Sequence, residues 1–115
     1  MTELEKTETL AKWCGKKVAA PKGLRRVVLH DENGAWLEDE NRWWNPLHNV
    51  ADAMELFEHM VQAVAYVSVG HHQRQPLDRR FACYAEGVFC HYAATLESAI
   101  CDAAMALIEL KEQGA

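Results

Sequence analysis

One stretch of the chain decides how it folds: Trp43-Trp44-Asn45-Pro46-Leu47-His48-Asn49. It ends an acidic run and precedes a segment whose apolar residues recur at the spacing of an amphipathic helix. Asn49 suits the N-cap position of that helix, and Asp52 follows it three residues later. The pattern predicts a helix from about Val50 to Gln62. Its apolar side is predicted to consist of Val50, Ala53, Met54, Phe57, Met60, Val61 and Val64.

Two further helices are predicted near the ends of the chain. Thr2 and Glu5 fit a capping box, and Gly15 is a natural stop for the helix that they begin. Near the other end, Thr95 suits an N-cap and predicts a helix that continues to about Glu112. The apolar residues of this last helix fall along one side: Leu96, Ile100, Ala103, Ala104, Leu107 and Ile108.

The segment between the first two helices predicts a β-hairpin. Residues 26–30 are β-branched and apolar in their centre, which favours a strand. Asn33-Gly34 is a strong signal for a two-residue turn, and residues 35–38 supply the return strand.

Two more segments predict strands. Residues 64–69 are apolar at nearly every position, which indicates a strand covered on both faces. Residues 81–85 resume the same chemistry after a polar connection. Together with the helices, these strands predict an α+β fold. We expect a three-layer α/β/α sandwich, with a mainly antiparallel sheet of about four strands and three helices.

The composition indicates a single globular domain that spans residues 1–115. Half of the residues are hydrophobic and a quarter are charged, as in ordinary globular proteins. No apolar run is long enough to cross a bilayer, and the chain begins with acidic residues where a secretory signal would be basic and then apolar. We therefore expect a cytoplasmic protein without a membrane partner.

The formal net charge of −5 disfavours direct binding to nucleic acid through a general attraction to phosphates. The charges are nevertheless segregated, because a basic segment at residues 16–26 is followed by an acidic one at residues 31–40. Such segregation indicates either a well-solvated surface or an interface at which charge steers a protein partner.

Four cysteines are spread along the chain: Cys14, Cys83, Cys90 and Cys101. They form no Cys-x-x-Cys pair, and although Cys90-His91 with His71 and His72 could supply metal ligands, the spacing matches no standard site. No catalytic set and no cofactor fingerprint is present, so we expect no catalytic residue, no metal and no cofactor. A hydrolase or metal enzyme built around Cys83, Cys90 and His91 stays open as a third class.

One compact cationic segment lies between the predicted strands, at residues 71–80. Its candidate ligand-binding residues are His71, His72, Arg74, Arg79 and Arg80. Arginine side chains suit carboxylate and phosphate groups, so this segment predicts a site for a small anionic ligand such as a nucleotide. The alternative is a solvated loop whose charges favour solubility.

Trp43 follows Arg42 directly, and these two residue types are favoured anchors of protein interfaces. Arg42 and Trp43 are therefore the candidate partner-binding residues. The alternative for Trp43 is partial burial against a neighbouring helix.

Several short motifs occur in the order helix, strands, helix. They are Trp44-Asn45-Pro46-Leu47, Ala51-Asp52-Ala53 with Phe57 behind it, and Ala94-Thr95-Leu96-Glu97-Ser98-Ala99-Ile100 with Ala103-Ala104 behind it. The opening segment Leu10-Ala11-Lys12-Trp13-Cys14-Gly15 adds a short first helix. In these residues the chain resembles the phage ABA sandwich domain family of small phage and prophage proteins. It departs from the family pattern between Gly70 and His91, where it is richer in Arg, His and Cys.

The resemblance implies a three-layer sandwich and a phage or prophage context in the cytosol of a host cell. The family has no settled activity, so no active-site residue carries over. The leading hypothesis is a non-enzymatic accessory protein that binds a host or phage protein, for example as an inhibitor of a host defence. The alternative is a small protein that binds or sequesters a nucleotide at residues 71–80. A homodimer stays open, since no coiled-coil heptad specifies one.

Overall fold

The structure, a computed structural model, describes residues 2–18, 34–88 and 90–113. The helices in this part of the chain are α1 (Glu3–Trp13), α2 (Val50–Ala63) and α3 (Leu96–Gln113). The strands are β1 (Ala35–Leu37), β2 (Arg42–Trp44), β3 (Val67–His71), β4 (Phe81–Ala85) and β5 (His91–Ala93). The predicted α+β class and the three predicted helices are confirmed. Within the described residues the strands form two antiparallel sheets, one of two and one of three strands, whereas the sequence predicts one sheet of about four.

The helix starts follow the capping chemistry that the sequence predicts. In each helix the side chain of the N-cap residue accepts a hydrogen bond at 3.1 Å from the backbone N–H three residues later. The capping residues are Thr2, Asn49 and Thr95. At the end of α1, Gly15 adopts a φ of 77°, a left-handed conformation that favours glycine.

The buried side of α2 differs from the predicted one. Ala53 and Met60 are buried as expected, together with Leu56 and the carboxylate of Asp52. Three residues predicted to face the core are instead exposed: Val50, Met54 and Val61. Apolar residues lie on both the buried and the exposed side of α2. The side that packs against the core also carries Asp52, whose carboxylate is paired with Arg42. The prediction is confirmed for Ala53 and Met60, and Phe57 and Val64 are partly buried against the core, but it is wrong for the three exposed residues because it followed apolar residues alone.

β1 and β2 form a short hairpin that the sequence does not predict as such. Trp36 pairs with Trp43 in register, and a turn at residues 38–41 joins the two strands. The segment that contains Trp43 and Trp44 was expected only to lead into α2. Residue Val18 forms a β-bridge to Leu37, on β1. The predicted strand at residues 26–30 lies outside the described residues.

The second sheet has the order β3-β4-β5, and α3 packs against its β4 and β5 strands. Cys83, Ala85 and Ala93 point to this side and belong to the hydrophobic core. The prediction that residues 64–69 are covered on both faces is wrong, because Tyr66 and Val69 are exposed. β3 lies at the edge of the sheet, beyond the strands that α3 covers.

The core joins all three helices to both sheets. Its large fully buried side chains include Leu10 from α1, Trp44 from β2 and Ile100 from α3. Pro46 is also fully buried, directly after Asn45 at the start of the turn into α2. None of the helices in the described ranges combines the length and the apolar character needed to cross a membrane.

Candidate functional site

The cationic loop, residues 71–80, connects β3 to β4 and has an ordered backbone. The N–H of His72 donates to the carbonyl of Arg80 at 2.6 Å, which continues the pairing of the two strands by one residue. The N–H of Arg79 donates to the carbonyl of Pro76 at 2.8 Å, within a short 3-10 helix at Leu77–Arg79. These bonds fix the positions from which the arginine side chains leave the loop.

The three arginines of the cationic loop differ in what they contact. The guanidinium of Arg79 lies 5.5 Å from the ring centroid of Tyr92, which is a cation–π distance. Arg80 donates from Nε to the carbonyl oxygen of Gln75 at 3.1 Å. Arg74 is exposed. Within the described residues none of the three forms an ion pair, although Asp78 lies in the same loop. Their charges are therefore available to an anionic ligand.

The structure separates the two histidines of the predicted site. His71 pairs in register with Phe81, and the two rings lie 4.9 Å apart on the side of the sheet that faces α3. His72 lies on the opposite side, with its ring 5.6 Å from that of Tyr92. The structure therefore brings His72 and Arg79 together around Tyr92, and it places His71 apart from them.

The outer face of the β3-β4-β5 sheet, opposite α3, carries all three tyrosines of the chain. Tyr66, Tyr84 and Tyr92 are 57, 39 and 37% exposed, and we call this set the tyrosine face. Ala82, on the central strand β4, pairs with Tyr92 on one side and with Gly70 on the other. It is buried, but it does not belong to the hydrophobic core cluster. Sequence reasoning missed this face. The alternation of Tyr84 with the buried residues of β4 is the signal that could have shown it.

Tyr92 is the residue at which the loop and the sheet meet. A side-chain hydrogen bond with Cys90 is the largest cause that raises the pKa of the Tyr92 phenol. Its ring offers a flat surface between His72 and Arg79.

The predicted partner-binding residues lie at the other sheet. Arg42 donates to three carboxylates, at 3.0 Å to Glu40, 2.9 Å to Asp52 and 3.1 Å to Glu55. The hydrogen bond to Asp52 is the largest cause that raises the pKa of Arg42. The guanidinium of Arg42 is therefore engaged by carboxylates of the protein itself, which leaves Trp43 as the candidate anchor of the pair.

Trp43 packs edge-to-face against Trp36, with ring centroids 5.2 Å apart. Both rings are half-buried, and both lie on the opposite side of the hairpin from the buried side chains of Ala35, Leu37 and Trp44. The pair is an aromatic surface of the β1–β2 hairpin, since each strand places alternate residues on opposite sides.

Lys16 extends the contacts of Arg42 into what we call the ion-pair network: Lys16, Glu40, Arg42, Asp52 and Glu55. Its Nζ lies 2.8 Å from Glu40 and also contacts Glu55. Burial alone lowers the pKa of Lys16, but the hydrogen bonds to Glu40 and Glu55 outweigh it and the pKa is raised. The network links the end of α1 to β2 and α2, and its role is structural.

Three of the four cysteine thiols do not supply a nucleophile at neutral pH. Burial raises the pKa of Cys14 to about 11 and those of Cys83 and Cys101 to about 12. The reactive form of cysteine is the thiolate, so these three side chains are poor nucleophiles. In the described part of the chain, no three His, Cys, Asp or Glu side chains are grouped as they would be to hold a metal ion.

A cavity of about 530 Å³ opens between the ends of the helices, away from the cationic loop. It is lined mainly by apolar side chains, with His59, Glu86 and Lys111 at its margin. A second depression, of about 390 Å³, lies between α1 and α3 and includes His91. Neither contains a residue of the cationic loop or of the tyrosine face.

The candidate site consists of the cationic loop and, next to it, the tyrosine face, whose rings are 37 to 57% exposed. Comparison of the chain with protein-family models, with curated proteins and with solved structures finds no match. The resemblance to the phage ABA sandwich domain family accordingly stays a prediction.

Proposed function

We propose that this chain is a non-enzymatic binding protein whose cationic loop holds an anionic, nucleotide-like ligand. The contact that carries the proposal is the one between Arg79 and Tyr92, at 5.5 Å. Arg79 has no acidic partner among the described residues, and its guanidinium lies beside the half-exposed ring of Tyr92. A nucleotide has the matching pair of groups, a phosphate and a flat base.

The physical basis is the geometry of the guanidinium group. Its planar array of N–H donors can bind two oxygens of a phosphate at once, and it can stack on an aromatic ring at the same time. Arg79 already lies at stacking distance from Tyr92, so less side-chain entropy is lost when the ligand binds. Arg74 and Arg80 lie on the same loop and can add further phosphate contacts.

The test is titration of the protein with uridine and adenosine monophosphates, followed by thermal unfolding and isothermal calorimetry. A ligand that binds only the folded state raises the melting temperature. We expect Arg79→Ala to abolish the shift and Arg79→Lys to weaken it. Lys12→Ala is the matched control, because it removes one exposed cation from α1, outside the loop. If Arg79→Ala binds like the parent, the proposal is wrong.

A second candidate function is binding of a host or phage protein, in keeping with the phage context that the resemblance implies. The supporting observation is the Trp36–Trp43 pair, two half-buried rings on the outer side of the β1–β2 hairpin. Aromatic rings of this kind are common anchors of protein interfaces. The site is the Trp pair rather than Arg42, which the ion-pair network occupies.

This second candidate is tested by affinity capture from bacterial lysate with the parent protein and two variants. A protein retained by the parent and by Tyr84→Ala, but lost with Trp43→Ala, supports it. Retention of the same proteins by all three contradicts it. Arg42→Ala is not a suitable variant, because it breaks the ion-pair network.

A further inference from the structure

The three tyrosines form a diagonal line across the sheet that begins at the cationic loop. Tyr92 in β5 pairs in register with Ala82, one residue from the loop end of β4. Tyr84 in β4 lies two residues further from the loop. Tyr66 comes just before β3, and its carbonyl accepts a hydrogen bond from the N–H of Glu86, which follows Tyr84 by two residues. Each step along this line crosses to the neighbouring strand.

The spacing of the line suits a repeating ligand. Each step combines two residues along a strand, about 7 Å, with the spacing of about 4.8 Å to the next strand, so the tyrosine positions lie about 8 Å apart, a step that an extended single strand can match. The ring centroids of Tyr66 and Tyr84 are 5.7 Å apart, and both rings are more than a third exposed. The strand positions beside the line are small, with Ser68, Gly70 and Ala82, and the ring of His72 lies next to Gly70 and Tyr92 at the loop end.

The exposure of the three tyrosines, 37 to 57%, favours a long ligand over a compact one. Small molecules usually bind in concave sites that bury most of their surface. The cavities of about 530 and 390 Å³ are lined by other residues than these tyrosines. A ligand on an open face gains affinity by repeating a weak contact several times, which is how single-stranded nucleic acids bind rows of aromatic side chains.

Positive charge marks the loop end of the line. The cationic loop carries three arginines against one carboxylate, Asp78, and the guanidinium of Arg79 lies 5.5 Å from the ring centroid of Tyr92. Phosphates are therefore attracted to the loop end.

We propose that the tyrosine face binds a single strand of nucleic acid. Its bases stack on Tyr92, Tyr84 and Tyr66, and its phosphates pair with Arg74, Arg79 and Arg80. The proposal rests on the function proposed above and replaces a free nucleotide by a chain of them. Because the whole chain has a net charge of −5, the affinity comes from stacking and a few local ion pairs rather than from a general field.

The experiment measures fluorescence anisotropy of a labelled oligothymidylate of about eight nucleotides, a length typical of single-strand-binding domains. We expect Tyr92→Ala and Tyr84→Ala each to weaken binding about tenfold, because a stacked base is lost. Tyr84→Phe keeps the ring and should bind like the parent. Three phosphate contacts predict a slope of about −2 for the logarithm of affinity against the logarithm of salt concentration. A duplex of the same length should not compete, since its bases are already stacked.

The controls separate this inference from the function on which it rests. If the oligonucleotide binds no more tightly than thymidine monophosphate, while Arg79→Ala still abolishes binding of the mononucleotide, the strand proposal fails and the proposed function stands. If neither binds, both fail. Equal binding by Tyr84→Ala and Tyr84→Phe also overturns the strand proposal. Melting temperatures of the variants check folding, and Lys12→Ala reports the effect of a lost charge elsewhere.

Discussion

Arg42 donates a hydrogen bond from Nη1 to Oδ1 of Asp52 at 2.9 Å, and this contact joins β2 to the first turn of α2. The other carboxylate oxygen, Oδ2, accepts from the backbone N–H of Asn45 at 2.9 Å. Asp52 is only 5% exposed, so water cannot replace these bonds easily. The turn between β2 and α2 therefore depends on one carboxylate.

The first prediction concerns this carboxylate. Asp52→Ala removes the carboxylate that accepts from the buried Asn45 N–H and one of the three carboxylates that bind Arg42, which should lower the free energy of unfolding by about 2 to 4 kcal/mol. The measurement is urea unfolding followed by circular dichroism. Asp39→Ala is the control, because Asp39 is exposed in the turn between β1 and β2. Equal stability of the two variants would show that the carboxylate is not needed.

The second prediction concerns acid. A hydrogen bond from Lys16 is the largest cause that lowers the pKa of Glu40 from its ordinary value of 4.5. The stability that ionised Glu40 contributes is fully present above that value and is lost as the pH falls through the lower pKa of the folded state. Since Glu40 is 40% exposed, we expect at most about 1 kcal/mol. The free energies of unfolding of the parent and Glu40→Gln should differ at pH 7 and converge in acid; a constant difference would contradict this.

The third prediction compares two glycines with similar backbone angles. Gly34 and Gly15 have φ values of 85° and 77°. A Cβ at Gly34 would collide with the carbonyl of Trp44 and lie 2.7 Å from the Cβ of Asn45, whereas a Cβ at Gly15 meets nothing within 4 Å. Gly15→Ala should cost about 1 to 2 kcal/mol of unfolding free energy from backbone strain alone. Gly34→Ala should cost clearly more, and equal melting temperatures of the two variants would rule out the collision.

The fourth prediction tests which side of α2 is buried. Leu56 is fully buried, whereas Val61 is 51% exposed. Leu56→Ala should lower the free energy of unfolding by about 2 to 5 kcal/mol because it leaves a cavity. Val61→Ala should change it by less than about 1 kcal/mol, since the surface residue has little packing to lose. The reverse order, measured by urea unfolding, would mean that α2 is rotated about its axis.

The sequence predicted the elements whose signals are local. Capping residues at Thr2, Asn49 and Thr95 located the helix starts, and the apolar run at residues 81–85 located β4. β2 and β5 were missed because each has three residues, too few to show a period, and neither follows a turn signal such as the Asn33-Gly34 pair that precedes the equally short β1. The burial of Asp52 was missed because it depends on Arg42, ten residues earlier, and on a pairing that local patterns do not encode.

The candidate site was predicted only in part for the same reason. The cationic loop is continuous in sequence, so its residues could be identified together. The tyrosines are far apart in sequence, at positions 66, 84 and 92, and only the register of three strands places them in a row. His71 and His72 likewise lie on opposite sides of the sheet because successive side chains of a strand point to alternate faces.

The placement of the aromatic residues has a practical consequence for spectroscopy. All four tryptophans come before α2 in the chain, at positions 13, 36, 43 and 44, while all three tyrosines belong to the outer side of the other sheet. The two chromophores thus report on different parts of the same molecule. Emission excited selectively at tryptophan follows the opening of the hairpin and its helices. Because tryptophan also absorbs across the tyrosine band, tryptophan emission is the selective native probe, and it needs no label.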